Sequence, residues 1–135
     1  SFGYCRSRIM ALYGSRHSDT TFPVYDAIAD YAATHPAPTG SSGWFLPGSH
    51  ELATLCFGAP TSFTESGSTY YYKNLQMLNK INPQIDKAVG DKLIGKYWSG
   101  YEWNEERGWH VDVTTPHYGV KPKTDTYKVR AVLAF

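Results

Sequence analysis

The sequence has little charge and no long apolar run. Charged residues make up 19% of its 135 positions, and the formal net charge is +1. Nucleic-acid-binding proteins usually carry a strongly basic face, so we expect no nucleic-acid partner. No stretch approaches the roughly 18 consecutive apolar residues of a membrane-spanning helix. We therefore expect no membrane insertion.

Cysteine is scarce as well. The chain has two cysteines, Cys5 and Cys56, and these alone do not complete a four-ligand zinc site. Either they form one disulfide between the first predicted strand and a helix, or they are two buried free thiols. A disulfide requires a specific separation and orientation of the two residues, so the sequence leaves both alternatives open.

Sequence motifs of catalysis are also missing. The chain contains no Gly-x-Ser-x-Gly nucleophile elbow, no His-Glu-x-x-His zinc motif and no glycine-rich phosphate-binding loop. We therefore predict that the protein is not an enzyme and that it uses no cofactor.

Aromatic residues are the class that the sequence has in excess. Phe, Trp and Tyr make up 16% of the chain, which includes 11 Tyr and 4 Trp. These side chains favour β-strands, and they also provide large contact areas at binding surfaces for a small loss of conformational entropy. We expect both uses, divided by position along the chain.

The spacing of apolar residues predicts helices in the first two thirds of the chain. One helix begins at Pro23 and stops at His35-Pro36, because proline lacks an N–H donor and restricts the residue before it. A second follows Gly48, with Glu51 placed to accept hydrogen bonds from free backbone N–H groups. The predicted buried face of this second helix consists of Leu52, Leu55 and Cys56.

Further helical turns precede Asn82-Pro83, which predicts a new helix start with asparagine as N-cap and proline at the first helical position. This helix is expected to stop at Gly90. Residues 4–13 are predicted to form a strand or an extended arm. Residues 58–69 are rich in Gly, Ser, Thr and Pro and are predicted to form a surface loop, which ends in three tyrosines that are either strand-like or part of a binding rim.

From residue 93 onward the apolar period changes to two, which indicates strands. Residues 109–113 and 127–135 alternate in this way, and residues 97–103 and 118–121 are predicted strands as well. Helices followed by a C-terminal run of antiparallel strands predict an α+β fold, in a single domain over residues 1–135. Arg130 in the last strand is expected to be buried and to pair with Glu102 or Glu51.

An ordered set of residues resembles a known family. The set is Trp44-Phe45-Leu46-Pro47, Glu51-Leu52, Leu55, Tyr97-Trp98-Ser99, Glu102, Gly108-Trp109-His110-Val111, Lys123, Tyr127, Val129-Arg130-Ala131-Val132 and Phe135. It resembles the DUF1566 group of C-type-lectin-like domains, found in bacterial surface proteins, pilus-tip-like adhesins and phage tail proteins. The resemblance covers roughly residues 25–135. It implies a C-type-lectin-like fold whose C-terminal strands present a ligand-binding face.

The chain departs from this pattern at Gly100 and Tyr101, where small hydroxyl residues are usual, and at Gly48, where serine is usual. Related lectin-fold domains include the variable receptor-binding proteins of diversity-generating retroelements, in which codons near the C terminus are rewritten on a fixed scaffold. The departures fit such a diversified surface, and they fit ordinary drift equally.

Residues 101–107 are predicted to form a hairpin tip or loop that carries Tyr101 and Trp103. Charged neighbours make burial of these two rings costly, which favours a binding role, whereas Trp98 and Trp109 are predicted to pack in the core. In an antiparallel sheet with one wet face, every second side chain points outward. The predicted ligand-binding set is Tyr101, Trp103, Asn104, Glu106, Arg107, His110, Asp112, Thr114, His117 and Tyr118.

Two kinds of partner fit this surface. A glycan would stack on Trp103 or Tyr101 and hydrogen-bond to Asn104 or Asp112, and a protein would use the same aromatic rings as anchors. His110, Asp112 and His117 together suggest a metal site, but a solvated strand face is the favoured interpretation. No Glu-Pro-Asn or Gln-Pro-Asp triplet of calcium-dependent lectins occurs, so no metal is predicted.

We therefore predict an extracellular recognition domain, on a cell surface or a virion, that binds a protein or a glycan. The first alternative is a structural pilus or tail subunit that uses the aromatic patch for assembly. The second is an enzyme of formylglycine-generating type, which has a similar architecture. That alternative is disfavoured because those enzymes rely on cysteines near the C-terminal part of the domain, whereas Cys5 and Cys56 lie in the first half.

Overall fold

The computed structural model describes residues 2–17, 19, 22–73 and 76–135, and within them it has an α+β architecture that confirms the predicted class. A five-stranded sheet has the order β1-β2-β5-β4-β3, and each neighbouring pair is antiparallel. The C-type-lectin-like fold in particular stays a prediction. The helices are α1 (Phe2–Arg16), α2 (Pro23–Thr34), α3 (Ser49–Phe57) and α4 (Gln76–Lys87), and the strands are β1 (Phe63–Ser66), β2 (Thr69–Tyr72), β3 (Lys96–Glu102), β4 (Arg107–Asp112) and β5 (His117–Pro122).

Helices α2 and α3 begin where the sequence predicts. Pro23 occupies the first turn of α2, and the helix ends at Thr34, before the His35-Pro36 stop. At the start of α3, Oε2 of Glu51 accepts a hydrogen bond from the Gly48 N–H at 2.7 Å. The predicted burial of Leu55 is wrong: its side chain is 38% exposed. The buried stripe of α3 consists of Ser49, Leu52, Ala53, Cys56 and Phe57.

The predicted strand or arm over residues 4–13 is wrong, because this segment lies within helix α1. Its apolar residues do not alternate, and its arginine, methionine, alanine and leucine residues favour helices. The start of α1 is fixed by Gly3, whose N–H donates to Oε2 of Glu51 at 3.1 Å. One turn later, Oγ of Ser7 accepts a hydrogen bond from the Leu46 N–H at 3.0 Å.

The predicted helix start at Asn82-Pro83 is also wrong, since α4 continues through Pro83. The Asn82 side chain caps a neighbouring segment instead of a helix. Its amide donates to the Leu93 carbonyl at 3.0 Å and accepts from the Leu93 N–H at 2.8 Å. Helix α4 ends at Lys87, before the predicted stop at Gly90, and the left-handed conformation falls on Val89, whose φ is 56°.

Two segments outside the helices differ from expectation. The predicted loop at residues 58–69 contains strand β1, whose side chains are all exposed, and the tyrosines that follow lie in β2. The predicted final strand at residues 127–135 makes only isolated bridges, in which Lys128 pairs with Tyr97 and Val132 with Phe45. Its alternating pattern reflects an extended chain whose neighbour changes along its length, so no continuous ladder forms.

Helices α3 and α4 pack on one face of the sheet. The core between them and the sheet is built around Leu52, Cys56, Leu93, Tyr97 and Val111, each 3% exposed or less. No helix in the described ranges is long and apolar enough to cross a membrane.

The two cysteines are free thiols, which excludes the disulfide alternative. Cys5 is exposed on α1, whereas Cys56 is buried in the core, where desolvation raises the pKa of its thiol to about 12.

Arg130 differs from its predicted role. Its side chain is only partly buried, and Nη1 donates to the Asp91 carbonyl at 2.7 Å. Neither predicted acidic partner is used, because Glu102 pairs with Lys123 at 3.0 Å and Glu51 accepts from the backbone at the α3 start.

Candidate binding groove

The predicted hairpin tip joins β3 to β4. The Trp103 N–H donates to the Arg107 carbonyl at 2.9 Å. Oδ1 of Asn104 accepts hydrogen bonds from the N–H groups of Glu106 at 3.0 Å and Arg107 at 2.8 Å. Asn104 therefore shapes the turn with the oxygen that was predicted to meet a ligand. Trp103 projects from this tip and is 57% exposed.

Three predicted ligand-binding residues do not point outward. His110, Asp112 and Tyr118 are 1%, 5% and 4% exposed, so the prediction that their side chains are exposed is wrong, although part of Tyr118 still lines the groove described below. The prediction assumed one solvent-exposed face, but around these three side chains both faces of the sheet are covered. The ring of Tyr127, in the C-terminal segment, lies 5.3 Å from the ring of His110 on the face opposite α3.

Asp112 and His110 instead support the strands. Oδ1 of Asp112 accepts from the N–H groups of Thr114 at 2.9 Å and Thr115 at 3.1 Å, which shapes the β4–β5 turn. Nδ1 of His110 donates to the Gly119 carbonyl at 2.8 Å, while its buried Nε2 has no hydrogen-bond partner. Burial lowers the pKa of His110 to about 4, against the opposing effect of the Gly119 hydrogen bond.

The remaining predicted residues fall into two separate places. Trp103, Asn104 and Glu106 lie at the hairpin tip and Arg107 begins β4, whereas exposed Thr114 and half-buried His117 lie beyond the other end of β4. Six residues of strand extend about 20 Å, so the structure does not gather the predicted set into one site. Among the described residues, no three His, Cys, Asp or Glu side chains are arranged to hold a metal.

A different arrangement of aromatic rings does form a concave surface. We call it the aromatic groove: a cleft of about 380 Å³ on the sheet face that carries Trp109, beside the N-terminal end of α3. Trp103 flanks it, with its ring centroid 5.7 Å from that of Trp109 in an edge-to-face contact. The lining residues are Ser49, His50, Phe63, Tyr70, Tyr101, Trp109 and Tyr118.

Strand register builds the floor of the aromatic groove. Tyr70 and Tyr118 are directly paired on β2 and β5, and their rings stack at 4.8 Å. Phe63 contacts Tyr70 edge-to-face at 5.7 Å, and Trp109 lies 6.2 Å from Tyr70 on the other side. The aromatic rings thus form a continuous series across the sheet, which holds their orientations.

Tyr101 closes one side of the aromatic groove by packing on Gly48. A Cβ atom at position 48 would lie 2.7 Å from Cζ of Tyr101, well inside contact distance, and the Arg6 guanidinium lies 5.6 Å from the centre of the ring. Gly48 and Tyr101 are two of the three positions that depart from the DUF1566 pattern. The structure pairs them: the large side chain at one position occupies the space left by the missing side chain at the other.

The aromatic groove and its border carry uncharged hydrogen-bond donors but no charged side chain in the lining. The lining has no Asp, Glu, Asn, Gln, Lys or Arg side chain. The indole N–H groups of Trp103 and Trp109 and the hydroxyls of Tyr70 and Tyr101 make no hydrogen bond with any residue that the structure describes. Neutral donors without a described partner thus accompany an uncharged lining whose other polar side chains are those of Ser49 and His50.

A larger cleft, of about 570 Å³, lies between the start of α2, β3 and residues 123–129. Two of its tyrosine hydroxyls already have partners within the protein. The Tyr25 hydroxyl donates to the Gly100 carbonyl at 3.0 Å, and the Tyr127 hydroxyl donates to Asp125 at 2.8 Å. The aromatic groove is therefore the stronger candidate for a binding site.

Sequence reasoning found part of this groove and missed the rest. Tyr101 and Trp103 were predicted as binding residues, and the Tyr70 segment was considered as a rim. Trp109 was assigned to the core; it does pack against the core, but it also lines the groove. Phe63 and His50 had no distinguishing local signal, because only the β2–β5 pairing brings β1 and α3 to the same surface.

Comparison with known proteins gives a limited but consistent result. No family model matches the chain. The chain is 28% identical over 139 residues to a protein of Bacteroides ovatus named as the fimbrium tip subunit Fim1C, over 98% of this chain and 23% of the relative. A crystal structure of a fimbrial protein from Bacteroides ovatus matches with a TM-score of 0.71 at 24% identity, over 98% of this chain and 24% of that one. Both are fimbrial proteins.

This chain spans about a quarter of the length of each relative. Both the sequence match and the structural match nevertheless cover 98% of this chain. The likeness to the solved structure establishes a shared fold.

Proposed function

We propose that the chain is a domain of a fimbrial subunit and that it acts without catalysis, through contacts with other molecules. The observation that carries this proposal is the match to fimbrial proteins along 98% of the chain, in sequence and in fold. The predicted extracellular location at the cell surface is confirmed, because both relatives are fimbrial. A pilus-type surface protein is favoured over the sequence-based prediction of a free-standing adhesin.

In this role the aromatic groove is an assembly surface that contacts another fimbrial component. Its support is the exposure of large apolar side chains, Phe63 at 46% and Trp103 at 57%, beside a concave, uncharged lining. Exposed aromatic clusters of this kind are typical of interfaces.

The experiment that tests the fimbrial role is fractionation of the producing cells. Sheared fimbriae, intact cells and culture medium are probed with an antibody raised against the 135-residue chain. We expect the protein in the sheared fimbriae, with immunogold label on the filaments. Its exclusive recovery from the cytoplasm would contradict the proposal.

Ligand recognition at the end of a fimbria is a second candidate. It is supported by the name of the relative as a tip subunit, since a subunit at a tip meets the surroundings first. Immunogold position separates the two: label only at filament ends favours recognition, whereas label along the shaft favours assembly. The C-type-lectin-like fold and the link to retroelement-diversified or phage tail proteins rest on the residue resemblance alone and are part of this second proposal.

A further inference from the structure

We propose that the aromatic groove binds an uncharged, proline-rich segment in the polyproline II conformation, supplied by another protein of the assembly. This inference rests on the proposed assembly role of the groove and names the partner's chemistry. Three properties of the groove carry it: the series of aromatic rings, the excess of hydrogen-bond donors and the absence of charge.

The ring series has the size and shape that such a segment needs. Phe63, Tyr70, Trp109 and Trp103 follow one another with centroid separations of 5.7, 6.2 and 5.7 Å. From Phe63 on β1 to Trp109 on β4 the series crosses three strand spacings, about 14 Å at the usual separation, and Trp103 lies beyond Trp109 at the hairpin tip. A polyproline II segment rises about 3.1 Å per residue, so four to five residues cross the groove. Proline-rich segments dock in other proteins between parallel ridges of aromatic side chains.

The hydrogen-bonding groups select the ligand. Indole N–H groups only donate, and those of Trp103 and Trp109 have no partner among the residues that the structure describes. The hydroxyls of Tyr70 and Tyr101, which have no described partner either, can donate as well as accept. Each proline presents a carbonyl acceptor and no N–H donor. A proline-rich backbone therefore offers the acceptors that these donors lack.

A glycan fits the same groove less well. Sugar hydroxyls are donors as well as acceptors, and a buried donor without a partner is costly. The lining contains no carboxylate or side-chain amide to accept from them, and its acceptors are limited to hydroxyls and the His50 ring. The lack of any Asp, Glu, Lys or Arg in the lining likewise favours a segment without charge.

The groove is also held in shape before binding. Tyr70 stacks on Tyr118, whose hydroxyl lies 3.4 Å from Nε2 of His50, and Tyr101 rests on Gly48. A preorganised surface that meets a preformed polyproline II helix loses little conformational entropy on association.

Binding of two matched peptide libraries to the 135-residue chain tests this inference. The first contains acetylated, amidated ten-residue peptides with two Pro-x-x-Pro motifs and uncharged residues elsewhere, and the second has glycine at each fixed proline. We expect saturable binding of the proline library, about tenfold tighter than the glycine library, with shifts of the Trp103 and Trp109 indole N–H resonances. Equal affinity for the two libraries, or no binding of either, would overturn the inference.

Conservative variants locate the site. Tyr70→Phe and Trp109→Phe keep an aromatic ring and remove a donor, so each should weaken binding by about threefold to tenfold, the range of one hydrogen bond. Tyr71→Phe is the matched control, because Tyr71 faces the other side of the sheet, against His117; it should change affinity less than about twofold. Equal effects of all three variants, or displacement of the peptide by neutral oligosaccharides, would contradict the proposal.

These results are independent of the fimbrial proposal. Peptide binding by a chain absent from fimbriae would refute the fimbrial role alone. A chain incorporated into fimbriae that binds no proline-rich peptide would refute the inference alone.

Discussion

Trp109 and His110 are neighbours on β4, yet their side chains lie on opposite faces of the sheet in different surroundings. The Trp109 face is covered by α3 and α4 over part of its area, and the uncovered part is the aromatic groove. On the other face His110 is only 1% exposed and lies beside Trp98 and Tyr127. Aromatic rings thus line an open groove on one face and a closed core on the other, and the difference lies in what covers them.

The comparison shows that the alternation of apolar and polar residues along a strand assigns side chains to two faces. It does not show which face is exposed to solvent. The sequence placed His110 and Asp112 on a ligand-binding face and Trp109 in the core. The structure reverses part of this. The C-terminal segment crosses the His110 face, whereas no element within the described ranges covers the end of the Trp109 face near the hairpin tip.

The largest expected effect concerns the covered part of the Trp109 face. Leu52 on α3 is fully buried in the core, so Leu52→Ala should lower the free energy of unfolding by about 2–5 kcal/mol through the cavity that it leaves. Leu55→Ala on the same helix is the control, with a clearly smaller loss because its side chain is 38% exposed. Urea denaturation measures both, and equal losses would contradict the described packing of α3.

The next largest effect concerns the wall of the aromatic groove. Gly48→Ala places a Cβ against the Tyr101 ring and should cost about 1–3 kcal/mol of stability, as overpacking does. Tyr101→Ser in the same chain should restore most of that loss. Gly14→Ala, at a position with no atom within 4 Å of the added Cβ, is the control and should not destabilise. Additive losses in the Gly48–Tyr101 double variant would show that the two positions are uncoupled.

On the opposite face, burial of His110 should make the stability of the folded protein depend on pH. Its pKa is about 4 in the folded protein and about 6.5 for an exposed histidine, so below pH 6.5 the unfolded chain binds the additional proton more readily. Stability due to this group should be complete above pH 6.5 and lost progressively as the pH falls towards 4. The surrounding ionisable groups are His117, Lys121, Asp112 and Tyr127.

Melting temperatures of the wild type and His110→Phe between pH 7.5 and 4 measure this contribution. Between pH 6.5 and 4, the melting temperature of the wild type should fall more steeply with decreasing pH than that of the variant. Parallel curves for the two proteins would show that His110 does not titrate as described.

The smallest expected effect is a difference in reactivity between the two thiols, and its measurement needs no mutation. A thiol-specific reagent at pH 8 should modify exposed Cys5 in the folded protein, whereas Cys56 should react only after denaturation, because burial keeps its thiol protonated and inaccessible. Mass spectrometry counts the modified sites. Modification of both thiols in the folded chain would contradict the burial of Cys56.

The sequence was sufficient where a local signal determines structure. Pro23, the Gly48–Glu51 pair and the alternation at residues 109–113 marked α2, α3 and β4, and the α+β class followed. Sequence-based prediction failed where a contact with a residue distant in the sequence determines the local structure. Asn82 resembles an N-cap but binds the backbone of Leu93, and residues 127–135 alternate like a strand but find no continuous neighbour.

The candidate site follows the same division. Trp103 was predicted because its charged neighbours in sequence place it at an exposed tip. Phe63 and His50 join it only through the order of the strands and the position of α3 over the sheet. No local pattern in a single sequence contains that information.

The most direct test of the central claim, that the aromatic groove is the contact surface and the opposite face is not, is site-specific photo-crosslinking in the producing cells. A benzophenone amino acid replaces Trp103 beside the groove or, as the control, Tyr71 on the other face; these side chains are 57% and 39% exposed. We expect a crosslink to another fimbrial protein from position 103 and none from position 71. Crosslinks from position 71 alone, or from neither position in chains that enter fimbriae, would contradict the claim.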